Sequence, residues 1–137
     1  MKKILLTLFL LTAAMVNCQP SNVNVNVSWP IDSTATQYII AIATSPDTSN
    51  WPIAEDMNWY DVDTTQLSRI YYLNPTATTV SFSSPINGEF IQAAGIIVGE
   101  LGITSLLTVS NREKKPNVPS KMQFINLNIN LGAKLTD

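Results

Sequence analysis

Asn22-Val23-Asn24-Val25-Asn26-Val27-Ser28-Trp29 puts an apolar side chain at every second position. Successive side chains on a strand point to opposite faces, so Val23, Val25, Val27 and Trp29 form one buried face, and the asparagines and Ser28 face water. Pro30, Asp32 and Ser33 supply turn chemistry after it. Gln37 to Ala43, with Tyr38, Ile39, Ile40 and Ile42, then reads as a second, more buried strand that Pro46 closes.

Further along, a short strand is expected at Ile70 to Leu73 and another at Thr78 to Ser83. The turn Ser84-Pro85-Ile86-Asn87-Gly88 leads into a long apolar strand from Glu89 to Val98, and Ser105 to Ser110 follows as the next strand. Residues 111–120 are polar, carry Arg112-Glu113-Lys114-Lys115 and two prolines, and read as a linker or an extended edge connection, with the charge run solvated. Beyond it, in an added C-terminal strand over 121–131, Ile125, Leu127, Ile129 and Leu131 alternate with Asn126, Asn128 and Asn130. A free tail has no use for four aliphatics on one face, so this segment must bury them. No stretch after the N-terminal segment combines helical period, cap and length, and the pattern is that of an all-β antiparallel sandwich.

Upstream, Met1-Lys2-Lys3 is positive and Ile4 to Val16 is thirteen residues without a charge. That is the pattern of an export signal, and it is shorter than the roughly 20 apolar residues a membrane span needs. Met15-Val16-Asn17-Cys18 resembles a bacterial lipobox, with Met15 and Asn17 in place of the usual Leu and small residue. The resemblance implies a signal peptide over 1–17, lipidation of Cys18, and attachment to a membrane of the cell envelope through the N-terminal lipid. Cleavage after Thr12-Ala13-Ala14 is the alternative and gives a secreted protein with a free thiol.

Residues 18–137 are expected to form a single domain, whose 120 residues are enough to bury about 65% of the unfolded chain's surface. With one cysteine in the chain, no internal disulfide can help it fold. Without Lys2 and Lys3 the balance is 6 basic against 10 acidic residues, a net charge of −4 that argues against a nucleic-acid partner.

Histidine is absent, which removes His-activated nucleophiles and Cys/His metal sites. No catalytic residue and no cofactor is expected. Carboxylates remain: Asp61 and Asp63 would share one side of a strand with Cα atoms about 6.5 Å apart, near Glu55 and Asp56, as weak candidates for Ca²⁺. A solvated acidic loop is the favoured reading, because no following ligand pattern is present. Trp51, Trp59, Tyr60, Tyr71 and Tyr72 are candidates for a stacking platform and, equally, for core positions.

Taken in order, the strands of residues 22–110 resemble a fibronectin type III domain, an immunoglobulin-like sandwich. Trp29 stands where that family has a tryptophan on its second strand, and Tyr38 begins the third. Ile86-Asn87-Gly88-Glu89-Phe90 resembles the approach to the sixth strand, and Gly102-Ile103-Thr104-Ser105 the punctuation before the last. Phe90 lacks the family tyrosine's hydroxyl, 46–69 is long, and Cys18 to Asn22 leaves no room for a first strand. Lys121 to Leu131 is expected to fill that place, within the chain or by exchange between copies. The resemblance implies a protein- or glycan-binding, adhesion or accessory module, with a carbohydrate- or Ca²⁺-dependent site in the 46–72 region as the alternative.

Overall fold

The computed structural model describes residues 22–118 and 124–132. The expected signal, Cys18 and residues 121–123 of the C-terminal segment lie outside the described residues. No helix among these residues is long and apolar enough to cross a membrane. Nine strands are described: β1 (Asn22–Ser28), β2 (Gln37–Ser45), β3 (Arg69–Leu73), β4 (Thr79–Pro85), β5 (Phe90–Gly99), β6 (Gly102–Ile103), β7 (Thr108–Val109), β8 (Glu113–Lys114) and β9 (Phe124–Asn128). Between β2 and β3 the chain makes two single-turn 3-10 helices, at Trp59–Asp61 and Thr64–Gln66.

The strands form two sheets that pack as a sandwich. One has the order β4-β1-β9; the other runs β3-β2-β5, with β6, β7 and β8 in succession along the far side of β5. Every pairing is antiparallel except β1 with β9, which is parallel. The arrangement is consistent with an immunoglobulin- or fibronectin type III-like sandwich. β9, the last described strand, lies beside β1 on the side away from β4.

Alternation decides which residues meet between the sheets. Val23, Val25 and Val27 of β1 and Ile125 and Leu127 of β9 face Tyr38, Ile40, Ile42, Ile91 and Ile97 in one buried cluster. After β9 the chain keeps its period: the Ile129 N–H donates to Ser28 O at 2.9 Å, and Ile129 and Leu131 stay buried. Leu131 crosses over β5 at Gly95, where a Cβ would sit 3.0 Å from Leu131 Cδ1 and 3.2 Å from Ile40 Cδ1. The glycine leaves room for that crossing.

The second sheet is buried on both faces. Ile39, Ala43, Ala94 and Ile96 point away from the sandwich core, yet they are covered by Ile53, Val62 and Leu107. This double burial explains why β2 and β5 read as nearly continuous apolar runs.

Two expectations are corrected. The run Ser105 to Ser110 is not one strand, because Leu107 turns away to pair with the 54–57 loop: the Leu107 N–H donates to Met57 O at 2.8 Å and the Asp56 N–H to Leu107 O at 2.9 Å. Beside this break, Ser105 Oγ accepts from the Ile97 N–H and Ser110 Oγ from the Ala93 N–H, both at 2.9 Å, replacing backbone acceptors. Residues 111–118 run as an extended edge with β8 paired to Phe90 and Ile91, and Lys115 of the charge run is buried, not solvated.

Side chains close both open sides of the sandwich. Arg69 of β3 donates from Nη2 to Ser83 O on β4 at 3.2 Å and lies 4.8 Å over the Phe82 ring. On the other side Asn111 acts as a surrogate peptide unit for β9. Its Nδ2 donates to Asn126 O at 3.0 Å, and its Oδ1 accepts from the Asn128 N–H at 2.9 Å. Edges blunted in this way resist pairing with other chains.

Candidate functional site

The aromatic residues of 46–72 do not converge on one platform. Trp51 is half-buried in the cover of the second sheet, donates from Nε1 to Gln92 Oε1 at 2.6 Å and carries the Arg112 guanidinium 5.3 Å from its ring. Trp59 packs into the same cover. Tyr71 faces the other way, into the core between the sheets, 6.0 Å from Phe82. Register explains the split, because Tyr71 sits opposite Ile40 on the inner face and Tyr72 opposite Ile39 on the outer face. Tyr60 and Tyr72 are exposed.

The carboxylates here work as local caps. Asp61 and Asp63 lie not on a strand but in and between the two 3-10 turns. Asp63 Oδ1 accepts from the Thr65 hydroxyl at 2.6 Å and the Thr65 N–H at 3.1 Å, and these bonds hold its carboxyl below the usual carboxylate range. Glu55 Oε2 accepts from the Val109 N–H at 3.0 Å, tying the cover to β7. Among the described residues no three His, Cys, Asp or Glu side chains gather as a metal-holding group.

Ser84 and Lys115 form a buried polar pair that sequence reading missed. Lys115 Nζ donates to Ser84 Oγ at 2.9 Å, spanning from the end of β8 to the opposite sheet. Chemically this resembles a serine beside a lysine base, but the residues are only 5% and 2% exposed, so the pair ties the sheets together and is closed to a substrate. Burial pushes the Lys115 pKa down from 10.5, and the negative charge of Glu89 opposes the shift. Between the lowered value and 10.5 the unfolded chain binds more protons than the folded one, so stability rises with pH across that window. Lys115→Met should abolish this rise and stay within about 2 kcal/mol of the parent at neutral pH, because the buried charge it removes is offset by the Ser84 hydroxyl it leaves unpaired. Urea titrations of both proteins from neutral pH to about 10.5 check both points.

An accessible grouping lies at one end of the sandwich. The β5–β6 hairpin turns through Glu100 and Leu101 between paired Gly99 and Gly102. Gly102 has φ +111, which a side chain would strain. Leu101, at the tip of this turn, is fully exposed. Beside it a shallow depression of about 510 Å³ is lined by residues 33–36, Gly99 to Leu101 and Thr104. A second of about 210 Å³, between Asn58, Tyr60 and residues 103–106, shares Thr104. Exposed Tyr60 and Leu106 border the second.

This end is firmly held. The Tyr38 hydroxyl accepts from the Asp32 N–H at 2.7 Å, Asp32 Oδ1 accepts from the Thr34 N–H at 2.8 Å, and the Thr36 N–H donates to Val98 O at 2.7 Å. Trp29 stacks tilted on Tyr38 with centroids 5.8 Å apart, anchoring the 30–36 loop from below. No protein-family model, curated protein or solved structure matches the chain.

Proposed function

We propose that this chain is an exported binding module without catalytic activity, an adhesion or accessory domain held to a bacterial envelope membrane through Cys18. It presents the end formed by residues 30–36 and 99–106 to a partner. The supporting observation is a fully exposed leucine at the tip of a two-residue hairpin, beside two shallow depressions and away from the anchored end. A leucine there contributes nothing to the core, whereas a partner that covered it would gain about 1.5 to 3 kcal/mol.

The proposed anchor would enter at the end of the sandwich where β1 starts. β1 begins at Asn22, four residues past Cys18, beside the end of β4 at Pro85, and the 86–89 turn leads from there to the start of β5. From that end, the seven residues of β1 run about 23 Å before the chain enters the 30–36 loop. The start of β1 and the exposed hairpin are therefore at opposite ends.

Two experiments test this. Cys18→Ala should shift the protein from the membrane pellet to the soluble fraction of the expressing cells. A photo-crosslinking side chain at position 101 should capture a partner in intact cells, while one at Asp47, beyond the base end of β2, should not. Unchanged fractionation, or equal capture from the two positions, contradicts the proposal.

A further inference from the structure

We infer that the outer face of the β4-β1-β9 sheet is a binding surface for a neutral polysaccharide. The register aligns three rows across this face: Ser83, Asn24 and Phe124; Ser81, Asn26 and Asn126; Thr79, Ser28 and Asn128. Neighbouring strands lie about 4.8 Å apart and same-face residues about 6.8 Å apart along a strand, so the rows make a nearly flat grid. The chain has 8 basic and 10 acidic residues, and none occupies these nine positions.

Strand formation does not account for the composition of this face. Asparagine is depleted in strands, and threonine or lysine would give an equally wet surface with better propensity. Four asparagines nevertheless share this face on β1 and β9, with Asn26 directly beside Asn126. Three of their amides are held in place: Ser81 Oγ donates to Asn26 Oδ1 at 2.7 Å, Asn26 Nδ2 to Asn126 Oδ1 at 3.3 Å, and Ser28 Oγ to Asn128 Oδ1 at 2.7 Å. A side-chain amide has two donor hydrogens and two acceptor lone pairs, so these bonds orient the groups and leave capacity for a ligand.

The occupant follows from that chemistry. With no cation at these nine positions, an anionic polymer or nucleic acid finds no charge there to pair with. A protein interface needs a core of several apolar anchors, and among these nine positions Phe124 is the one apolar side chain. A polymer of uncharged sugar rings presents hydroxyls that both donate and accept, spaced on the scale of the grid. Its apolar ring face can stack on Phe124, which is 58% exposed in otherwise polar surroundings.

The inference rests neither on the membrane anchor nor on the hairpin end. The test is co-sedimentation of the full chain with microcrystalline cellulose, chitin and insoluble mannan, with de-esterified pectin as the anionic control. At least one neutral polymer should retain the parent protein. Phe124→Ala and Asn126→Asp should each retain about tenfold less, with unchanged melting, and Asn24→Asp serves as the second charge variant should Asn126→Asp alter the melt. Tyr60→Ala should behave as the parent. Four results overturn the inference: no retention by any neutral polymer, equal retention by pectin, no loss in the face variants, or a loss confined to Tyr60→Ala.

Discussion

A chain shortened to end at Val118 should show no cooperative unfolding transition. The cut removes β9 and the residues after it, and with them Ile125, Leu127, Ile129 and Leu131, none more than 4% exposed. At about 1.5 to 3 kcal/mol each, their loss comes to roughly 6 to 12 kcal/mol. A domain of this size is stable by about 5 to 15 kcal/mol in total. The loss also strips β1 of a hydrogen-bonded neighbour, exposing the edge that β9 now covers. Circular dichroism on heating, beside urea titration of the same protein, reads the outcome. A shortened chain that still melts cooperatively within a few degrees of the parent contradicts this account of the core.

Ile96→Asp should be nearly as damaging, although a simple two-layer sandwich would place residue 96 in water. Ile96 is fully buried on the outer face of the second sheet, in the cluster with Ile53, Val62 and Leu107. An aspartate there forfeits the packing of an isoleucine and places a carboxylate among aliphatics with no cation to receive it. The packing loss alone is worth about 2 to 5 kcal/mol, and the buried charge adds several more. The expected result is a chain mostly unfolded at 25 °C. Ser81→Asp, on the exposed face of the other sheet, should stay within about 0.5 kcal/mol of the parent in the same urea titrations. Similar small effects for both variants would mean that the 46–67 segment does not cover the sheet.

Much of the fold was legible in the sequence because burial on one face writes itself as alternation. Val23, Val25 and Val27 against Asn24 and Asn26 give the inward set of β1 directly, and Asn87-Gly88 marks the turn before β5. The run Ser105 to Ser110 was misread because its side chains suit a strand, while its backbone pairs partly with a loop distant in sequence. Nothing local signals that choice.

The aromatic region shows the same limit. Tyr71 and Tyr72 are neighbours in sequence, and strand geometry alone sends their rings to opposite faces; knowing which face is wet required the cover. Lys115 reads as part of a solvated charge run and is buried only because β8 pairs with β5 and aims it across to Ser84. The asparagine face was half visible. The alternation showed that Asn24, Asn26, Asn126 and Asn128 were wet, but only the parallel pairing of β1 with β9 makes them neighbours.

That pairing is the central claim, since both the closed sandwich and the amide face depend on it. It is tested most directly by replacing Asn26 and Asn126 with cysteine in a Cys18→Ser chain and letting the pair oxidise. These residues are register partners, and strands about 4.8 Å apart lie within the Cα separation a disulfide spans. The account predicts an intramolecular disulfide in a monomer, and none for cysteines at Asn24 and Asn128, which are out of register. Disulfide-linked dimers, or a 26–126 pair that stays reduced in the folded protein, would contradict it.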